Sequence, residues 1–205
     1  SIGVLYPLNG PAWSLFFELV ANFFYALIAR FLSGRMLALI LSVSAVLLSI
    51  ALFNHADVRG PGWQWSHFDA GLARVVFDFF VGVAIYRLWS SVGIPALPWW
   101  AAVMAFFAII AFPVGKDWAI AYDAIGAIIL MPLLVAVSAG SKAPKRIAAV
   151  CGVFGMLSYG IYILHVPILA SLQPILAILH IDLDGTWMMA ALVAGLAAAA
   201  AAIAD

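Results

Sequence analysis

Four ionisable side chains stand inside apolar runs of this chain: Glu18, Asp78, Asp123 and His165. A carboxyl or imidazole group in a low-dielectric cavity can be tuned to take or give a proton, which is what general acid–base chemistry on a hydroxyl or carbonyl needs. In a bilayer each such group costs about 2.5–3.5 kcal/mol on insertion scales, so each is a functional candidate. Residues three or four apart share a helix face, and that spacing gives three of the four polar company. Ser14, Glu18, Asn22 and Tyr25 make one stripe, Arg74, Asp78 and Tyr86 a second with Gly82 between them, and Gly155, Ser158, Tyr162 and His165 a third with Tyr159 beside it. Asp123 has only Lys116 two turns earlier and Tyr122 next to it. Each residue also has a structural alternative: Glu18 as a carboxylate satisfied by a neighbouring helix, Asp78 as the ion-pair partner of Arg74, and His165 as an interhelical hydrogen-bonding group.

The elements that must carry these stripes follow from composition. Of 205 residues 67% are hydrophobic and 9% charged, against roughly 25% charged in a soluble domain. Nine Lys and Arg balance nine Asp and Glu, so there is no basic surface to neutralise phosphates and nucleic acid is excluded as a partner. Disorder is excluded by the high hydrophobicity. The lipid bilayer is the remaining surrounding, and a span takes about 20 apolar residues in helical form. Seven runs qualify: Ala12–Leu32, Met36–Phe53, Ala73–Trp89, Ala96–Val114, Trp118–Ser138, Phe154–Leu172 and Thr186–Ala204. None shows the alternation of a membrane β-strand, so the expected fold is all-α, a polytopic transmembrane helix bundle in one domain over residues 1–205.

The segment Asn54–Ala70, with Gly60, Pro61, Gly62 and two tryptophans, reads as an interfacial loop. The single Cys151 forms no intrachain disulfide and reads as apolar filler. Ser1–Leu8 reads as the tail of a preceding segment and the chain stops just after an alanine run, so a fragment of a longer protein is expected.

Arg30, Arg35, Arg87, Lys142, Lys145 and Arg146 fall on one side of the spans without an acid among them. Arg59, Arg74 and Lys116 fall on the other with Asp57, Asp69, Asp117, Asp182 and Asp184. By the positive-inside rule the first side, with loop 139–147, is cytoplasmic. At about 1.5 Å per residue Glu18 lies roughly 9 Å below the outer end of its span, Asp78 and Asp123 roughly 7–8 Å, and His165 roughly 10 Å. One layer in the outer third of the membrane is the expectation. His55, His67 and His180 are expected to be solvated. No His, Cys or carboxylate group has metal-ligand spacing, and neither a Gly-x-Ser-x-Gly elbow nor a phosphate-cradling Gly-Lys-Ser/Thr loop occurs.

Asn9-Gly10-Pro11-Ala12-Trp13-Ser14-Leu15-Phe16-Phe17-Glu18 resembles the Trp-Ser-Leu-x-x-Glu motif of membrane-bound acyltransferase family 3, the polysaccharide O-acetyltransferase type. Phe79-Phe80-Val81-Gly82-Val83-Ala84-Ile85-Tyr86-Arg87 resembles that family's Phe-x-x-Gly-x-x-x-x-Arg segment, and Ser158-Tyr159-Gly160-Ile161-Tyr162-Ile163-Leu164-His165-Val166-Pro167 its Ser-Tyr-x-x-Tyr-x-x-His-x-Pro signature. The resemblance covers nearly the whole chain. It implies about ten transmembrane helices, of which these seven spans would be the last, at the bacterial inner membrane. It also implies transfer of an acyl group, usually acetyl from acetyl-coenzyme A, to a hydroxyl of a sugar or related cell-envelope acceptor. The family's Arg or Lys followed about ten residues later by a His, on its first helix, has no counterpart here.

On that resemblance Glu18, His165 and Tyr162 are the expected catalytic residues. Glu18 would orient or deprotonate the acceptor, and His165 and Tyr162 would position substrate or the developing oxyanion. Trp13, Ser14, Asn22, Arg74, Asp78 and Tyr159 are the expected substrate-binding residues, with Trp13 offering a flat face to a sugar ring. Acyl-coenzyme A enters as donor substrate, and neither a bound cofactor nor a metal is expected. A transporter or flippase of a sugar-lipid or organic ion is the rival reading, weakened by the lack of an internal repeat; a non-catalytic membrane partner of a polysaccharide assembly complex is the third. The orientation is checked by labelling a cysteine placed in the Lys142–Arg146 loop: it should resist a membrane-impermeant reagent in intact cells, and labelling from outside would overturn the assignment.

Overall fold

The computed structural model describes residues 3, 5, 6, 9–55, 62–178 and 187–204. Asp57, Arg59, Gly60, Pro61, His180, Asp182 and Asp184 lie outside the described residues. The helices are α1 (Ala12–Ile28), α2 (Gly34–Asn54), α3 (Phe68–Val92), α4 (Trp99–Ala111), α5 (Ala119–Ile125), α6 (Met131–Ser138), α7 (Lys145–Ile178) and α8 (Trp187–Ala204). There is no strand among the described residues, so the fold is all-α. Short 3-10 turns extend α1 to Phe31 and lead into α3 and α5, and one π-helical segment, Gly126–Leu130, joins α5 to α6.

Among the described residues four stretches are long and apolar enough to cross a bilayer: Ala12–Phe31, Gly34–Asn54, Lys116–Ser138 and Lys145–Ile178. Large apolar side chains such as Leu19, Val92 and Ile178 are more than two-thirds exposed, the reverse of a soluble protein's surface and the expected one in hydrocarbon. Three expected spans change length. Helix α3 has 25 residues and begins at Phe68 rather than Ala73, because the 3-10 turn Trp65–His67 runs straight into it. Helix α4 has 13 residues, about 20 Å against a hydrocarbon core of about 30 Å; Pro98 caps its start, and Phe112, ahead of Pro113, is already extended at φ −63°, ψ 121°. Helix α7 has 34 residues and starts at Lys145, nine before Phe154, with Pro167 and Pro174 inside it.

Prolines also account for the π-helical segment. Pro132, in the first turn of α6, has no N–H for the carbonyl four residues back and its ring crowds that turn; the widened turn just before it accommodates both effects.

The chain divides into two compact units, Ser14–Ala143 and Ser1–Trp13 with Pro144–Asp205. In the larger unit Phe17, 1% exposed, packs at a tilt against Phe68 with 5.0 Å between ring centroids. Tyr25 meets Phe79 at 5.6 Å, and Arg87 donates to the Leu32 carbonyl at 2.7 Å. Pairings 17 with 68, 25 with 79 and 32 with 87 advance together, so α1 and α3 run side by side in the same direction. Helix α2 packs along α3 through Leu37 with Phe80, and Leu48 with Ala73 and Phe77. Helix α4 is tied to the α6 end by Leu97 N–H to Val137 O at 2.8 Å and by Ser141 Oγ to Leu97 O at 2.5 Å. In the smaller unit α8 lays a stripe of Met189, Val193 and Ala197 against α7.

One histidine expectation is corrected. His67 is buried, at 8% exposure, because the turn Trp65–His67 folds under the end of α2; its ring lies 4.5 Å from that of half-buried His55, which pairs with Asp69 at 3.4 Å.

The α1–α3 crossing is tight at one point. A Cβ on Gly71 would stand 2.9 Å from Phe17 Cε2 and 3.0 Å from the Gly62 Cα, and Gly62 itself has φ 133°, which favours glycine. Around Gly82, on the same helix, a Cβ would meet nothing within 4 Å. Gly71→Ala should therefore destabilise the purified protein by about 1–3 kcal/mol, while Gly82→Ala, which meets no clash and replaces a glycine in a helix interior, should hold or raise the thermal midpoint. Equal midpoints for the two variants would refute the crossing.

Candidate functional site

In the smaller unit the site is built on the middle of α7. His165 is half-buried, and its Nδ1 lies 3.1 Å from the Ile161 carbonyl oxygen. A carbonyl only accepts, so a hydrogen bond there places a proton on Nδ1, and in the neutral ring Nε2 is then the acceptor. Tyr162, one turn earlier, has its ring 6.2 Å from the imidazole and donates through its hydroxyl to the Pro11 carbonyl at 3.3 Å. Asn9 reaches the same stretch, its Nδ2 donating to the Ile163 carbonyl at 3.1 Å. The segment Asn9–Pro11 is itself a turn, with Ala12 N–H bonded to Asn9 O at 3.0 Å, and it hands the chain to half-buried Trp13 in the first turn of α1. Ser158 is turned back to its own helix, onto the Gly155 carbonyl at 2.7 Å, and Tyr159 stands exposed.

In the larger unit Ser14, Glu18 and Asn22 follow one flank of α1. The adjoining flank, Phe17 and Ala21, is buried against its neighbours. Glu18 and Asn22 are exposed, and Asn22 Nδ2 is held to the Glu18 carbonyl at 2.9 Å. That bond engages the backbone of Glu18 and leaves its carboxylate to other partners. Tyr25, expected in this stripe, instead packs its ring on Phe79 and Phe80 and belongs to the core. On α3 Arg74 is half-buried and Asp78 exposed. The two lie one helical turn apart, and no ion pair between them occurs among the described residues.

The expected single layer does not hold for Asp78. With Tyr25 level with Phe79, Asp78 is level with residue 24, about six residues or roughly 9 Å further along than Glu18. The cause is the earlier start of α3 at Phe68. Asp123 is exposed on α5, three residues before the π-helical segment, and the Gly126 N–H is shared between the carbonyls of Tyr122 and Asp123. Tyr122 instead clasps α4, its hydroxyl donating to Ile109 O at 2.6 Å and its ring stacked on Phe112. Beside that clasp lies an apolar cavity of about 360 Å³, lined by Phe112, Pro113, Trp118, Tyr122 and Ile125 among others and by none of the candidate site residues.

Ser14, Glu18, Asn22, Arg74 and Asp78 thus fall in one unit, and Trp13, Tyr159, Tyr162 and His165 in the other. No group of three or more His, Cys, Asp or Glu able to hold a metal occurs among the described residues, and Cys151 is exposed on α7. Asn9 was not singled out as a site residue by its type or spacing. Its signal lies elsewhere in the chain, in the proline two residues beyond His165.

No curated protein and no solved structure matches the chain. The family model described as "Acyltransferase domain" matches residues 1–204, a span that takes in Glu18, the glycine-to-arginine segment of α3 and the Tyr162–His165 face of α7. The chain therefore belongs to the membrane-bound acyltransferase family 3.

Proposed function

We propose that this protein transfers an acyl group, acetyl in the first instance, from acyl-coenzyme A to a hydroxyl of a carbohydrate or related acceptor of the bacterial cell envelope, at the inner membrane with loop 139–147 in the cytoplasm. The observation that carries the reading is Glu18: a carboxylate on an otherwise apolar helix, flanked by Ser14 and Asn22 and left uncovered on a face beside the buried Phe17–Ala21 seam.

The reaction joins an acceptor oxygen to the thioester carbonyl carbon. The hydroxyl proton leaves as the C–O bond forms, the carbonyl becomes an oxyanion, and its collapse expels the coenzyme A thiolate, which takes up a proton. Glu18 orients the acceptor hydroxyl or takes its proton. His165, with its Nδ1 proton committed to Ile161 O, has Nε2 ready to accept a proton or a hydrogen bond, and Tyr162 positions substrate beside it. Trp13 supplies a planar surface for a sugar ring, while Asn22, Arg74, Asp78, Ser14 and Tyr159 contribute polar contacts to the acceptor or donor. Acyl-coenzyme A is the donor substrate, and no bound cofactor takes part.

The test is acyl transfer from radiolabelled acetyl-coenzyme A to cell-envelope glycan by membranes carrying the full-length gene product, with and without Glu18→Gln. Loss of general-base or orienting action should lower the rate about 10²–10⁴-fold at unchanged protein abundance. Full activity in the Gln variant would remove Glu18 from the mechanism.

A further inference from the structure

Helix α7 carries Pro167 in its interior, two residues after His165. Proline has no backbone N–H, so the carbonyl four residues earlier loses its helical partner. That carbonyl belongs to Ile163. In hydrocarbon such a group has no water to turn to, and an unsatisfied one is costly, so the vacancy is filled from a neighbouring element. The group that reaches Ile163 O is the side-chain amide of Asn9, at 3.1 Å. The amide's other end, Oδ1, is buried without a hydrogen-bond partner among the described residues. The orientation is therefore dictated by the vacated carbonyl, which requires the Nδ2 donor and would repel an oxygen.

We propose that Asn9 is a positioning residue for the α7 face of the site: its amide substitutes for the N–H that Pro167 lacks and clamps the turn Ile161–His165. Three contacts converge there. Asn9 holds Ile163, Tyr162 is held to Pro11 two residues after Asn9, and His165 is held by its Nδ1 to Ile161. The imidazole's tautomer and direction depend on where the Ile161 carbonyl points. In a helix freed at Pro167 that direction is set by whatever steadies the preceding turn. The same clamp fixes the turn that delivers Trp13, so aromatic platform and imidazole are positioned by one amide.

The role in transfer rests on the acyltransferase reading above; the clamp itself does not. A double-mutant cycle with Asn9→Ala and Pro167→Ala tests both in the full-length protein. Pro167→Ala restores an N–H for Ile163 O, so Asn9 becomes dispensable in that background. With Pro167 in place, Asn9→Ala releases the Ile161–His165 turn and should lower kcat about tenfold; in the Pro167→Ala background it should lower kcat by no more than about twofold. Asn9→Asp, which keeps the shape but sets an acceptor against an acceptor, should lose as much as Asn9→Ala. Pro174→Ala, which restores a donor to Ala170 instead, should give no rescue.

The same cycle read as thermal midpoints in detergent should show coupling between positions 9 and 167 and none between 9 and 174. Additive losses in both readouts, or full activity of Asn9→Asp, would overturn the proposal. Coupled midpoints in a protein whose wild type transfers no acyl group would support the clamp and overturn the transferase reading.

Discussion

A backbone inside hydrocarbon has to satisfy every N–H and C=O from within the protein. In this chain that constraint bears on the prolines, because each removes one donor from the ladder. Pro98 and Pro113 stand outside the two ends of α4, where a missing N–H does no harm, and they limit it to 13 residues. Pro132 falls inside a continuous helical stretch and is accommodated by a change of helical type over Gly126–Leu130. Pro167 is accommodated by another part of the chain, through Asn9. The prolines thus set helix length at one place, helix type at a second and a long-range contact at a third.

The second organising contact is the crossing of α1 and α3. Phe17 and the Gly62 backbone both close on Gly71 because it presents no side chain there, and the aromatic contacts from Phe68 to Phe80 keep the two helices in step. Glu18 follows Phe17 in sequence. Anchoring one residue in the core fixes the direction of the next, about 100° around the helix. The carboxylate therefore owes its position to a packing contact and needs no ion pair to hold it. Asp78 shares that framework at a greater depth, so the two acids are not interchangeable in what they can reach.

Much of this architecture is legible from residues alone. Apolar runs and their flanking charges locate the helices, and polar residues at three and four spacing give the stripes of α1 and α7. Helix ends are less legible: α3 and α7 begin earlier than hydropathy suggests because polar residues such as Asp69 and Lys145 are helical although they are not apolar. His67 has a loop-like neighbourhood in sequence and a buried place in the fold, since burial depends on how the turn Trp65–His67 is tucked. Tyr25 and Asn9 show the same limit from opposite sides. Tyr25 has the spacing of the polar stripe but is drawn into the core by Phe79 and Phe80; Asn9 lies outside every periodic pattern, and its partner is 154 positions away.

The shortness of α4 has a consequence for the lipid rather than for the protein. A helix about 20 Å long beside others of full length creates hydrophobic mismatch, which a bilayer relieves by drawing its two headgroup planes together at a cost of fractions of a kcal/mol per Å. In this chain that mismatch falls on α4, at 13 residues against 20 to 34 in the four full-length apolar stretches.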